Sequence, residues 1–148
     1  MNKISLIKKS LLLLTLIAST NLVIAGSQVD WKRMLAEGRY NDVVELADDA
    51  LARFKDHDAV YYKTLALYKM GEGTAARQLF SFIAKYYHQN QGLPGANHRK
   101  AMSLYYAGFY EAAIEAFEEY QTNNGNHLEA TLHLGYSYTR LGQYDEAI

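Results

Sequence analysis

The chain of 148 residues contains no cysteine. This absence excludes disulfide bonds, a cysteine nucleophile and a lipid anchor attached to a cysteine behind a signal sequence. The fold therefore owes nothing to disulfides, even in a compartment that permits them, and its stability has to come from packing.

Strong charge and catalytic motifs are also lacking. The formal net charge is −1, so no strong attraction to nucleic acid is expected. No serine lies in a Gly-x-Ser-x-Gly turn, and the sequence has neither a Walker loop nor HExxH. Apolar residues make up 49% of the chain and charged residues 21%, which is typical of a folded globular protein. We predict no enzymatic activity and no cofactor.

The single long apolar run lies at the N-terminus. Three lysines precede residues 11–25, where Val23 and Ala25 are small enough for a signal peptidase. This run is shorter than the ~20 residues that span a bilayer. We therefore expect a signal peptide at residues 1–25, cleavage after Ala25 and no stable membrane span afterwards. The mature chain would be exported, to the periplasm of a two-membrane bacterium or otherwise to the medium.

A short pattern recurs four times in the remaining chain. It begins at Gly38, Gly71, Gly108 and Gly142, so the glycines are 33, 37 and 34 residues apart. The longest gap holds the loop HQNQGLPG at residues 88–95. A period near ~34 residues without strand-like alternation predicts two helices per repeat.

Each glycine is expected to close a first helix and to reverse the chain, because glycine readily adopts the left-handed conformation. The expected starting residues of the second helices are Asn41, Thr74 and Asp145. Small residues one turn later would let paired helices approach closely. These are Ala76, Ala113 and Ala147, with Val43 at the same place in the first repeat.

This spacing resembles the tetratricopeptide repeat. The best match, in the fourth repeat, comprises Leu134, Gly135, Tyr138, Gly142, Tyr144 and Ala147. The third repeat supplies Ala101, Leu104, Gly108, Tyr110, Ala113 and Phe117. The second repeat has Gly73 where tyrosine is usual, and no repeat ends in the family's usual proline. The resemblance implies an all-α fold over residues 26–148. We expect a TPR-like right-handed α-solenoid of helix-turn-helix repeats, about three and a half of them.

The fourth repeat is expected to be incomplete. QYDEAI would form the first turn and a half of a second helix, and the partner helix at 129–141 would keep an apolar face partly open to water. We favour a fragment of a longer repeat protein. The other explanation is a natural end whose exposed face is covered by a partner.

The resemblance implies that the first helices line a concave groove. Positions at i, i+3, i+4 and i+7 share one face of each helix. The predicted groove residues are Tyr61, Leu65, Tyr68, Lys69, His98, Arg99, Met102, Tyr105, Leu132, His133, Tyr136 and Arg140. Tyr62 and Tyr106 could equally well face the groove or pack between helices.

A groove rich in tyrosine fits a protein or peptide ligand, because tyrosine offers rigid contact area and a hydroxyl at low entropic cost. The cations would meet acidic groups or a terminal carboxylate. Some members of the family bind a C-terminal carboxylate with lysine and asparagine. That clamp is not predicted here, because Leu65, Met102 and Tyr136 stand where asparagine is needed.

The histidines do not predict a metal site. His57, His88 and His98 are expected in a turn, in a loop and at a helix start. His127 and His133, six residues apart, would face different sides of a helix. Glu129 and His133 could touch, but zinc needs at least three protein ligands.

Three functions remain open. The leading hypothesis is an exported scaffold or adaptor that binds another protein through the tyrosine-rich groove. The alternative is the N-terminal targeting module of an envelope enzyme whose catalytic domain lies beyond residue 148. The third is self-association, in which the open C-terminal end stacks on another copy.

Overall fold

The computed structural model describes residues 29–54, 56 and 58–147, and within them it contains α-helices and no β-strand. The expected signal peptide at residues 1–25 lies outside the described residues. The helices are α1 Trp31–Ala36, α2 Tyr40–Phe54, α3 Ala59–Lys69, α4 Gly73–Gln89, α5 Ala96–Ala107, α6 Tyr110–Asn124 and α7 Leu128–Arg140. None of these helices is long and apolar enough to cross a bilayer.

The helices form a stack of hairpins. Each helix packs against the next one along the chain, and the first helices of neighbouring hairpins also meet, α1 with α3 and α5 with α7. Contacts are therefore made between neighbours, as in a solenoid. The predicted TPR-like helical solenoid is confirmed.

The four glycines lie at the bends between first and second helices, as predicted. Gly38, Gly71, Gly108 and Gly142 have φ values of 72°, 95°, 90° and 76°. An added Cβ would meet no atom within 4 Å at any of the four positions. Backbone conformation, and not lack of space, therefore requires glycine there.

The same hydrogen bond closes every first helix. The amide after the glycine donates to the carbonyl five residues earlier, at 2.9 Å for Arg39 to Met34, 3.0 Å for Glu72 to Leu67 and 3.0 Å for Phe109 to Leu104. Gln143 repeats it with Tyr138 at 3.0 Å. This bond is the longer of the two that define a Schellman motif.

The second helices begin two residues after the glycine, at Tyr40, Gly73 and Tyr110. The expected starting residues Asn41 and Thr74 therefore lie inside helices and do not cap them. No side chain caps α4 at Glu72 or α6 at Phe109. The turn that closes the first helix fixes where the second one starts.

Small side chains separate the paired helices, as predicted. Ala76, Ala113 and Val43 are fully buried, and Phe80 and Phe117 are buried one turn beyond the two alanines. Residues 144–147 form a turn and not the predicted start of a helix. A Cβ on Gly135 would lie 3.2 Å from the Ala147 carbonyl oxygen, so glycine here allows this segment to approach α7.

Candidate functional site

Aromatic rings form a continuous surface across three first helices. Tyr68 on α3 lies 5.3 Å from Tyr106 on α5, measured between ring centroids. Tyr105 on α5 lies 4.9 Å from His133 on α7, which lies 5.8 Å from Tyr136. We call these five residues the aromatic face.

The open part of the aromatic face lies on α7. Tyr136 is 52% exposed and its neighbour Leu132 is 47% exposed, whereas Tyr68, Tyr105 and His133 are half-buried. A ligand would therefore gain contact area mainly along α7 and would reach the other rings at their edges.

Two exposed cations lie beside residues of this surface. Lys69 follows Tyr68 at the end of α3, and Arg140 ends α7; both are exposed. Burial raises the pKa of Tyr105, while the positive charge of Arg140 and a hydrogen bond from it act in the opposite direction. Arg140 therefore lies at the Tyr105 hydroxyl, where it can still meet an anion. Burial also raises the pKa of Tyr106, to about 12, so its hydroxyl is protonated at neutral pH.

Three of the predicted groove residues are buried, so the expectation that they line an open groove is wrong. Tyr61 is 2% exposed, Met102 1% and His98 8%. Phe80 of α4 packs on Tyr61 at 6.0 Å, and Arg99 of the next repeat covers the same ring. These positions face the helices packed alongside, because hairpin stacking uses part of the face that single-helix periodicity assigns to the groove.

Arg99 is likewise a packing residue and not an available cation. Its Nη2 lies 3.1 Å from Asp58 Oδ2 and donates to the Tyr62 hydroxyl at 2.6 Å. Its guanidinium lies 4.6 Å above the Tyr61 ring and 4.8 Å above the Tyr62 ring. Its side chain is 12% exposed. Arg99 thus ties the third repeat to the second.

Tyr62 packs between helices and does not face the groove. It is 5% exposed and stacks on Trp31 of α1 with a centroid distance of 6.1 Å. Tyr87 of α4 donates to Asp58 Oδ1 at 2.6 Å. Burial is the main cause of the raised pKa values of Tyr61, Tyr62 and Tyr87. Asp58 therefore joins three helices through Arg99, Tyr87 and its own position at the start of α3.

The remaining predicted residues are accessible to different extents. Leu65 on α3 is half-buried beside the core. His133 Nδ1 donates to the Glu129 carbonyl oxygen at 2.9 Å, so these two residues meet through the backbone and not through the carboxylate. The binding role of the aromatic face stays a prediction.

The structure groups three residues that sequence spacing had separated. His98 in the first turn of α5, His127 just before α7 and Glu129 in the first turn of α7 place one ligand atom each within 4.8 Å of one another. Burial is the main cause that lowers the pKa of His98, to about 4. Sequence spacing did not bring these three residues together, because α5 and α7 meet across about thirty residues of chain.

A second exposed surface, which was not identified from the sequence, lies on the second helices α2 and α4. Phe82 on α4 is 70% exposed, and Leu51, Leu79 and Tyr86 around it are each more than a third exposed. They line an apolar hollow of about 260 Å³ together with Val60 and Ile83. Large apolar residues on the outer face of a predicted second helix were the available signal.

These features define a helical-repeat protein whose first helices share one surface. Residues 98–148, which hold the third repeat from its first helix onward and the fourth repeat, match the family model described as Tetratricopeptide repeat. No curated protein matches the chain. Repeats of this family serve as scaffolds for protein–protein interaction, which makes a protein the expected class of partner.

Proposed function

We propose that this protein is an exported scaffold that binds an extended segment of another protein across the aromatic face. The observation that carries the proposal is the unbroken run of rings from Tyr68 to Tyr136 over α3, α5 and α7. A strand-like or irregular peptide could lie across three parallel first helices and meet one ring after another.

The two exposed cations beside the aromatic face favour an acidic ligand. Lys69 and Arg140 are exposed, whereas Arg99 is already paired with Asp58. A carboxylate would form a charge-assisted hydrogen bond with Arg140 beside Tyr105. The proposed ligand therefore combines apolar or aromatic side chains with at least one acidic group.

Binding can be tested with a displayed library of acidic and neutral peptides and the purified chain. Tyr136→Ala should lower the affinity for the selected peptides about tenfold or more, because an exposed aromatic anchor contributes roughly 1–3 kcal/mol to an interface. Arg140→Gln should weaken acidic peptides more than neutral ones. Calorimetric titration measures both effects.

Tyr144→Ala is the matched control, since Tyr144 is 65% exposed but follows α7 instead of lying on a first helix. Its affinity should equal that of the unaltered chain. Equal affinity of the Tyr136→Ala and Tyr144→Ala variants would refute the assignment of the aromatic face.

Export is supported by the sequence pattern of residues 1–25. Residues 1–30 fused to a phosphatase that is active only outside the cytoplasm should give active enzyme in a two-membrane bacterium. Mass spectrometry of the intact protein from the same cells should show loss of residues 1–25. A charged residue before the cleavage site, as in Ala25→Asp, should abolish that loss. An inactive fusion would contradict export without affecting the binding proposal.

A further inference from the structure

The strongest unexplained group outside the aromatic face is a buried imidazole. His98 has a side chain that is 10% exposed, and its Nε2 is shielded from solvent without a hydrogen-bond partner. A buried polar atom without a partner costs free energy, so native structures normally pair it with protein, water or an ion. This nitrogen therefore points to a ligand.

The atoms nearest to this nitrogen are themselves potential metal ligands. Glu129 Oε2 lies 3.8 Å from His98 Nε2, and the His127 ring centroid lies 5.5 Å from that of His98. The three ligand atoms lie within 4.8 Å of one another. A hydrogen bond would require a shorter distance than 3.8 Å, so the pair of His98 and Glu129 is spaced for an atom between them.

We propose that His98, His127 and Glu129 bind a zinc ion. Two imidazoles and one carboxylate, with a fourth position open to water, form a known ligand set for zinc. Nitrogen ligands favour zinc over magnesium and calcium, which prefer oxygen.

The local structure can close around an ion. Tetrahedral zinc with bonds of about 2.0–2.2 Å needs ligand atoms roughly 3.4 Å apart. His98 is held in place by burial and by the Tyr120 ring, with a centroid distance of 5.2 Å. His127 is exposed and Glu129 is half-buried, so side-chain rotation of these two supplies the remaining movement.

Backbone geometry brings His127 and Glu129 to the same side. Gly125 reverses the chain after α6 with φ 74°, and His127 is extended with φ −120° and ψ 121°. Glu129 already belongs to the first turn of α7. A bound ion would join the first turns of α5 and α7 and would hold the two helices at a fixed separation. These two helices carry four of the five residues of the aromatic face.

Zinc binding can be measured on the 148-residue chain without a histidine tag, after removal of metal with EDTA. Titration with ZnCl2 in competition with a chromophoric chelator should give one zinc ion per chain, and MgCl2 or CaCl2 should not compete. His127→Gln should lower the affinity for zinc at least about tenfold, since loss of even a supporting hydrogen bond around a metal lowers metal affinity about 10–100-fold. Glu129→Gln and His98→Gln should act in the same direction.

His88→Gln is the matched control, because His88 is an exposed histidine outside the group of three ligands. It should bind zinc as the unaltered chain does. His127 is exposed, so the His127→Gln variant should fold normally, which circular dichroism without metal would verify. Zinc should raise the melting temperature of the unaltered chain and of His88→Gln but not of His127→Gln.

Cobalt provides a second readout. Co2+ in a four- or five-coordinate site of nitrogen and oxygen ligands should give visible absorption that His127→Gln loses and His88→Gln keeps. Zinc affinity that is absent in the unaltered chain, or that is unchanged in both His127→Gln and Glu129→Gln, would overturn the proposal.

Discussion

Arg99 shows how a single side chain can be assigned to the wrong environment by its sequence position. Periodicity places it on the groove side of α5, and its charge fits an acidic ligand. In the structure the guanidinium is satisfied by Asp58, Tyr62 and two aromatic rings of the preceding repeat. No sequence rule identifies that pairing, because its partners lie 37 to 41 residues away.

Loss of this side chain should destabilise the stack of repeats. Arg99→Met retains the aliphatic length but removes the bonds to Asp58 and Tyr62. We expect the free energy of unfolding to fall by about 2 kcal/mol, because hydrogen bonds between charged groups contribute roughly 1.5–3 kcal/mol and Asp58 would lose its buried partner. Urea denaturation followed by circular dichroism measures the change.

Lys69→Met provides the comparison, since Lys69 is exposed at the end of α3. Its effect should stay within about 0.5 kcal/mol, as is usual for surface positions. Equal stabilities of the two variants would mean that Arg99 does not join the repeats.

At the level of single elements, the helices were the most predictable part of the protein. The predicted helix at 129–141 corresponds to α7 Leu128–Arg140. The loop predicted at 88–95 begins two residues later, because α4 continues to Gln89. Glycine positions and helical periodicity are local signals, so local reasoning recovers them. The sequence predicted only part of the exposed groove surface correctly, because the exposure of a side chain on a first helix depends on the hairpins packed beside it.

The glycine at a bend can be tested against a glycine inside a helix. Gly108→Ala should lower the free energy of unfolding by about 1–2 kcal/mol, the cost of a left-handed conformation for a residue with a Cβ. Gly108 has φ 90°, and a methyl group there would meet no atom within 4 Å. The loss of stability would therefore come from backbone conformation and not from a steric clash. Thermal or urea denaturation would detect it.

Gly73→Ala is the control for this experiment. Gly73 begins α4 without a positive φ, and a Cβ there also meets no neighbour within 4 Å. The substitution should leave stability unchanged or increase it by up to about 1 kcal/mol, since alanine favours helix more than glycine does. A loss of stability at Gly73 as large as that at Gly108 would contradict the explanation based on φ.

Over the whole molecule, the contacts that form the two proposed sites join residues far apart in sequence. His98 and Glu129 approach each other because about one hairpin length of chain separates them. The sequence predicted the length of the hairpin, but it did not predict which side chains this length brings into contact. Tyr61 and Met102 were misassigned for the same reason, since their burial depends on the next hairpin. A repeat period predicts the path of the backbone. The side chains that meet between repeats follow from the stacking geometry, which one sequence does not specify.

The invariant turn inside each hairpin separates positions that tolerate inserted residues from positions that do not. After Gly38, Gly71 and Gly108 the second helix starts two residues later, whereas the connections between hairpins differ in length, with residues 90–95 joining α4 to α5 and residues 125–127 joining α6 to α7. One extra residue after Gly108 would rotate every later side chain of α6 by about 100° around the helix axis and would turn Ala113 and Phe117 out of the core. The same addition within residues 90–95 would lengthen a surface loop and leave both helices in register. Loop grafts, tags and new binding segments therefore belong within residues 90–95.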